Sequence, residues 1–287
     1  MTYLRDEIAS QPDTWARALE MSVSELPAPG QRVAVIGCGT SYYMAQAYAA
    51  LREAAGHGET DPFPASEFPA ARQYDRIVAL TRSGTTTEIL AALSAATVPT
   101  VAVTADPATP VSDAADAVVA LDFADEKSVV QTRFATSALV LLRASLGESL
   151  SSLPAEAAEA LAAPLAPELL AAEQVTFLGT GWTIGLANEG ALKLREAAQA
   201  WTESYHAMEY RHGPISIAAP GRAVWVFGAA PDGLAEEVRA TGAYLEQSAG
   251  DPLVELVRAH RLAEAVAESK DLNPDQPRNL TRSVILA

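Results

Sequence analysis

"VIGCGTSYYMAQAYAALREAAG" (residues 35–56) and "FLGTGWTIGLANEGALKLREAAQ" (residues 177–199) follow one grammar. Each opens on apolar residues, breaks at Gly-x-Gly, and continues with the spacing of a helix. The Gly-x-Gly turns lie 142 residues apart (Gly37 to Gly179), and "LREAA" recurs after 143 (Leu51 to Leu194). Ala-rich helices match one another by chance, but here strand, turn and helix recur together and in order. The pattern predicts an internal duplication with a one-residue slip, two related α/β domains in one chain.

Working outward, "DRIVALTRSGTTTEILAAL" (75–93) repeats strand, polar turn and helix, and "VPTVAVTADP" (98–107) and "ADAVVALDF" (115–123) read as two further short strands. Strands alternating with helices predict parallel sheets with helices on both faces, each doubly wound. "EKSVVQTRFATSALVLLRASLG" (126–147) reads as one long helix. The expected division is an N-terminal helical arm over 1–30, broken at Pro12; a first domain over 31–150; an Ala-, Glu- and Pro-rich connecting helix or linker over 151–172; and a shorter second domain with a C-terminal tail over 173–287. After "RAVWVFGAAPDG" (222–233) the patterns are helical, with no evident pair of further strands, so the second sheet is expected to be the smaller.

A chain of 287 residues that is 49% hydrophobic can bury a sizeable core, which argues against disorder. Its 20 basic and 36 acidic side chains give a net charge of −16, which repels nucleic acid and leaves room for a small anion bound by local donors. The one cysteine, Cys38, permits no intramolecular disulfide and suits a reducing compartment. "MTYLRDEIAS" contains Asp6 and Glu7 and no apolar run, so it does not read as a signal peptide, and no stretch reaches the roughly 18 apolar residues of a membrane span. A soluble cytoplasmic protein is expected, with no membrane or nucleic-acid partner. No His/Cys/Asp/Glu spacing suggests a metal, and no cofactor is expected: "GCGTSY" lacks the third glycine of G-x-G-x-x-G.

The turn "LTRSGTTTEIL" (80–90) packs five hydroxyl side chains between apolar residues. One helix cap needs one hydroxyl. Two hydroxyl-rich turns at the carboxyl ends of strands, "GCGTS" and "TRSGTTT", each leading into a helix, suit a phosphate held by helix N–H groups and hydroxyls. Ser41, Thr81, Ser83 and Thr86, with Arg82, could encircle it. Glu189, Lys193 and Glu196, at i, i+4 and i+7, share one helix face. On the residues alone that spacing favours a solvated Glu–Lys–Glu ladder over a carboxylate oriented by a lysine. His212, followed by Gly-Pro, could exchange a proton near neutrality, and His206 could substitute for it; His57 and His260 read as ordinary surface residues.

Taken in order, "GCGTS", "SEF" (66–68), "TRSGTTTE", "EGALKLRE" (189–196), "EYRHGP" (209–214) and "PRNLTRSV" (277–284) resemble the sugar isomerase (SIS) family over nearly the whole chain. The resemblance is strongest to the isomerase domain of glucosamine-6-phosphate synthase and to the aldose–ketose isomerase/deaminase proteins similar to it. It implies a hexosamine 6-phosphate substrate with its phosphate on Ser41, Thr81, Ser83 and Thr86, and its sugar against Cys38, Gly39, Thr40 and Glu189. It implies Glu196 as the proton-transfer carboxylate assisted by Lys193, and His212 as the ring-opening histidine, contributed across a homodimer with shared active sites. No amidotransferase domain with an N-terminal cysteine is seen, so glutamine-dependent synthesis is not expected.

Two positions depart from the synthase pattern. Arg282 stands where the synthases carry a Schiff-base lysine, and a guanidinium stays protonated and cannot be that nucleophile. Arg82 stands in place of a glutamine, adding charge at the phosphate or sealing the mouth of its site. These departures leave three outcomes of C2 chemistry or binding open: isomerisation with deamination, dehydration of an N-acetylated substrate, and a non-catalytic sugar-phosphate sensor.

Overall fold

The computed structural model describes residues 2–286 except 23 and 70. The arm is two helices, α1 (Tyr3–Ala9) and α2 (Gln11–Glu20), which meet at Ser10; Pro12 lies in the first turn of α2, where its missing N–H costs no hydrogen bond. The first sheet comprises β1 (Val33–Gly37), β2 (Thr60–Pro64), β3 (Arg76–Thr81), β4 (Thr100–Thr104) and β5 (Ala117–Ala120). Helices α3 (Thr40–Ala54), α4 (Thr87–Ser94), α5 (Val111–Ala114) and α6 (Arg133–Ser145) accompany it. Two connecting helices follow, α7 (Leu153–Ala162) and α8 (Pro167–Leu170). The second sheet has β6 (Gln174–Gly179), β7 (Trp201–His206), β8 (Arg222–Phe227) and β9 (Tyr244–Gln247), with α9 (Thr183–Ala198), α10 (Leu234–Ala240) and the long α11 (Pro252–Ser269).

The strand orders are β2-β1-β3-β4-β5 and β7-β6-β8-β9, all parallel. These are one doubly wound topology twice, the second copy ending a strand earlier, so the expected α/β fold with a smaller second sheet is observed. Alternation along the strands decides which face each residue covers. Val33, Val35, Val78 and Leu80 belong to one large core with Phe177 and Trp225 of the second sheet, while Ala34, Ile36, Ile77 and Ala79 face a separate core on the other side. Leu178, Val224 and Val226 face a third. One face of each sheet therefore contributes to a single shared interior.

Glycine at the start of each repeat has a steric cause. A Cβ on Gly37 would sit 2.5 Å from the Ser41 carbonyl carbon, and one on Gly179 would sit 2.3 Å from the Thr183 carbonyl oxygen. In both copies the strand ends directly beneath the first turn of its helix. The two copies also cross at a glycine: a Cβ on Gly185 of α9 would lie 2.4 Å from the Tyr43 carbonyl of α3.

Two edge strands escaped the sequence reading, and two segments read as helical differ from expectation. β2, "TDPFP", carries two prolines and is an edge strand, where proline is tolerated. β7, "WTESYH", is also an edge strand and mostly polar; neither was legible as a strand. One further strand, β9, follows β8. Residues 126–132 are not helical, because the buried Glu126 carboxylate accepts from the Thr132 N–H (2.6 Å), the Arg133 N–H (2.9 Å) and the Thr132 hydroxyl (3.0 Å), capping α6 from outside. Among the described residues no helix is long and apolar enough to cross a membrane.

Candidate active site

In an open α/β sheet the crevice for a ligand lies beyond the strand ends where the winding reverses, here between β1 and β3. The turn after β1 (Cys38–Gly39) and the turn after β3 (Arg82–Thr86) flank it. A pocket of about 170 Å³ opens there, lined by Cys38, Gly39, Thr40, Thr86, Gln131, Glu196 and the tail residues 280–284. Residues from α9 in the second copy thus complete a cleft begun by the first.

Glu196 owes its place to the last turns of α9 and to Lys193. The Lys193 ammonium is buried, 2.5 Å from a Glu196 carboxylate oxygen, 2.9 Å from the Thr40 hydroxyl and 3.4 Å from Glu189. Burial alone would push the Lys193 pKa down, but Glu189 and Glu196 outweigh it and hold it above its ordinary value. Glu189 lies deeper, with neither carboxylate oxygen hydrogen-bonded, and burial pushes its pKa up to about 8. Glu196, at 2.5 Å against 3.4 Å for Glu189, takes the short contact with the ammonium. This is a buried, asymmetric cluster rather than a solvated ladder: one lysine fixes the pocket carboxylate and the hydroxyl of the opposite turn together.

Of the four residues expected to hold a phosphate, Thr86 lines this pocket, while Ser41, Thr81 and Ser83 do not. Ser41 lies in the first turn of α3, and Ser41, Thr81 and Ser83 are buried, while Thr86 reaches the pocket wall. Ser83 Oγ accepts from the Thr85 N–H at 3.3 Å, which keeps the turn tight. Arg82 is oriented otherwise. Its guanidinium is buried and donates to the carbonyls of Ser128 (2.9 Å), Val129 (3.1 Å) and Arg282 (3.1 Å), with Glu126 at 3.6 Å. It ties residues 126–129 and the tail to the turn, closer to the sealing role than to an added phosphate charge.

Arg282 lines the pocket, yet its guanidinium is paired with Asp125 and donates to the Glu126 carbonyl. His212, in a short 3-10 turn at Glu209–His212, is exposed and lines no part of this pocket; His206 is likewise exposed at the end of β7. His260 is not a surface residue. It is buried on α11, neither ring nitrogen has a hydrogen-bond partner among the described residues, and burial holds its pKa well below the usual value. Two wall components escaped the sequence reading: Gln131, and the hydroxyls of Thr281 and Ser283. Thr132 before an apolar helical run was the available signal that α6 starts late and leaves Gln131 in an extended segment.

Residues 28–146 match the SIS domain. The chain carries a SIS domain. Across 93% of its length it is 28% identical to glutamine–fructose-6-phosphate aminotransferase [isomerizing] of Sulfolobus acidocaldarius, covering 52% of that protein. It is also 28% identical to the Caulobacter vibrioides protein of the same name, over 98% of this chain and 58% of the relative. The chain thus spans about half the length of these curated relatives. Among solved structures, glucosamine-6-phosphate deaminase of Thermotoga maritima superposes with a TM-score of 0.83 at 24% identity, covering 99% of this chain and all of that one. The C-terminal domain of glucosamine-fructose-6-phosphate aminotransferase from Francisella tularensis gives 0.83 at 21% identity, covering 96% and 98%. The structural likeness extends the SIS fold to both halves of the chain.

Proposed function

We propose that this SIS protein acts on a hexosamine 6-phosphate, with Glu196 moving the proton at C2. The observation that carries this reading is the Glu196 carboxylate on the pocket wall, held at 2.5 Å by a buried ammonium that also holds Thr40 across the cleft. The hydroxyl turn of Ser83 and Thr86, with Ser41 and Thr81, supplies neutral donors for a phosphate, and the relatives' names concern a fructose 6-phosphate aminotransferase. Thr86 and Glu196 line the same pocket, so a phosphate at the turn would bring the sugar chain toward the carboxylate.

In the open-chain aldehyde the C2 proton is acidified by the adjacent carbonyl. Glu196 removes it to give an enol, and returns it at C1. With a free amine at C2 the product is a ketimine; water adds to it and ammonia leaves, giving fructose 6-phosphate. Arg282 cannot form the covalent imine that a lysine at its position would form. If the nitrogen is acetylated that exit is closed, and the same C2 anion expels the C3 hydroxyl as water. His212 would open the sugar ring from a second copy of the chain.

The test is proton NMR in D₂O with glucosamine 6-phosphate and N-acetylglucosamine 6-phosphate, each alone, with ammonia assayed in parallel. Fructose 6-phosphate with ammonia is the expected result, and Glu196→Gln should slow it by about 10²–10⁴-fold. A new vinylic proton without ammonia would assign dehydration instead. Binding without C2–H exchange for either sugar would make the protein a sensor.

A further inference from the structure

Gln131 is fixed at the pocket wall by its neighbours on both sides. The Glu126 carboxylate accepts from the Thr132 N–H at 2.6 Å and from its hydroxyl at 3.0 Å. Two residues before Gln131, the Val129 N–H donates to the Asp275 carbonyl at 3.2 Å, and the Val129 carbonyl accepts from Arg82 at 3.1 Å. Val130 and Thr132 are buried on either side, while Gln131 is half-buried and lines the pocket with Thr40 and Glu196. Its Oε1 is buried and has no hydrogen-bond partner among the described residues. An unpaired buried acceptor is costly, so such an atom calls for a donor. Several neighbouring donors are already engaged. The Thr281 hydroxyl donates to the Ser283 carbonyl at 2.8 Å, the Ser283 and Thr85 hydroxyls lie 2.9 Å apart, and the Lys193 ammonium is held by Glu196 and Thr40.

We propose that Gln131 reads the substituent on C2 of the sugar and selects a free amine there. The inference rests on the reading of Glu196 as the base that takes the C2 proton, and it names the C2 nitrogen that the same site prefers. The cavity holds about 170 Å³, against the roughly 300–1,000 Å³ of ordinary small-molecule sites. In so small a space, a wall residue shared with Glu196 lies close to the atoms bonded to C2. A free amine brings two N–H donors, or three when protonated, and the protonated form makes the stronger, charge-assisted bond. A C2 hydroxyl, as in glucose 6-phosphate, brings one neutral donor. An acetamide brings one N–H together with an acetyl group that the cavity must also accept. Gln131 is thus a specificity-determining residue that favours the deamination outcome over dehydration, while the proton transfer stays with Glu196.

The experiment titrates glucosamine 6-phosphate, N-acetylglucosamine 6-phosphate and glucose 6-phosphate, each by calorimetry, into the full chain carrying Glu196→Gln to slow turnover. The same titrations are made with Gln131→Met or Gln131→Glu added. With Gln131 intact, glucosamine 6-phosphate should bind about tenfold tighter than either other sugar. Gln131→Met has a similar volume and no amide oxygen. It should weaken glucosamine 6-phosphate by about 10- to 100-fold and glucose 6-phosphate by only a few-fold. Gln131→Glu returns an acceptor and should keep the preference for the amine, which carries the test if the Met variant does not fold. Equal weakening of all three sugars by Gln131→Met, or loss of the preference in Gln131→Glu, would overturn the amine-reading role and leave Gln131 a wall residue. N-acetylglucosamine 6-phosphate binding as tightly as the free amine, with Gln131 intact, would also overturn it. No binding of any of the three sugars with Gln131 intact would overturn the hexosamine 6-phosphate reading, and this inference with it.

Discussion

Arg82 separates two meanings of a charged residue beside a hydroxyl turn. A phosphate ligand would leave the free protein's stability almost untouched when removed. The observed Arg82 instead satisfies three carbonyls and lies 3.6 Å from Glu126, both side chains essentially fully buried. Arg82→Met should therefore destabilise the fold by about 3–5 kcal/mol, because it strands a buried carboxylate. Arg82→Lys should recover little, since an ammonium cannot span the same fork of acceptors. Denaturant midpoints check both, and near-parental stability with weakened phosphate binding would restore the phosphate role. Side chains named by their turn, such as Thr40, Thr86 and Glu196, were legible because position along strand and helix fixes where they point. Arg82 and His260 were not: the guanidinium of Arg82 is oriented by carbonyls of residues 128 and 129, over 40 positions away in sequence, and His260 is buried on α11, which packs against α9. Gln131 was hidden by a helix start that Glu126 sets from outside the helix.

The arm illustrates the same point for whole elements. Its two helices were readable from spacing and from Pro12, but not what they hold. Glu7 of α1 accepts from the Lys127 N–H at 2.5 Å and the Ser128 N–H at 3.3 Å, and Trp15 of α2 donates to the Thr136 hydroxyl at 2.9 Å. The arm thereby braces the extended segment that leads to Gln131. Burial, followed by the nearby Glu126 charge, raises the Glu7 pKa from 4.5 to about 7. For an acid raised on folding, no penalty exists below the unfolded value, where both states are protonated. Between about pH 4.5 and 7 the unfolded chain loses its proton first, so the stability this group permits falls as pH rises, then levels off above 7. A shift of this size corresponds to about 3 kcal/mol as an upper value. Glu7→Gln keeps an acceptor for both amides and should remove that slope. Parallel unfolding curves for the two proteins across this range would refute it. Edge strands β2 and β7 were the elements least visible in sequence, since an edge accepts proline and polar residues that a central strand excludes.

At the scale of the molecule, the duplication was legible because both copies obey the same steric rule at Gly37 and Gly179, and matching topologies followed. The completeness of the site was not. The pocket is lined by the Glu196 carboxylate and by Thr86 of the hydroxyl turn, while His212 is exposed outside it. If His212 serves the Glu196 of a second copy, two inactive variants should repair one another. Glu196→Gln and Glu196-intact His212→Ala proteins, unfolded together and refolded as an equal mixture, would form heterodimers as half of all dimers. Each heterodimer would hold one site with both residues intact and one with neither. The mixture should then recover about a quarter of the parental rate of C2–H exchange, although either variant alone is nearly silent. Recovery should fall with dilution below the dimer dissociation constant. No recovery, in a mixture shown by mass to contain heterodimers, would place the ring-opening proton elsewhere, with His206 the next residue to substitute.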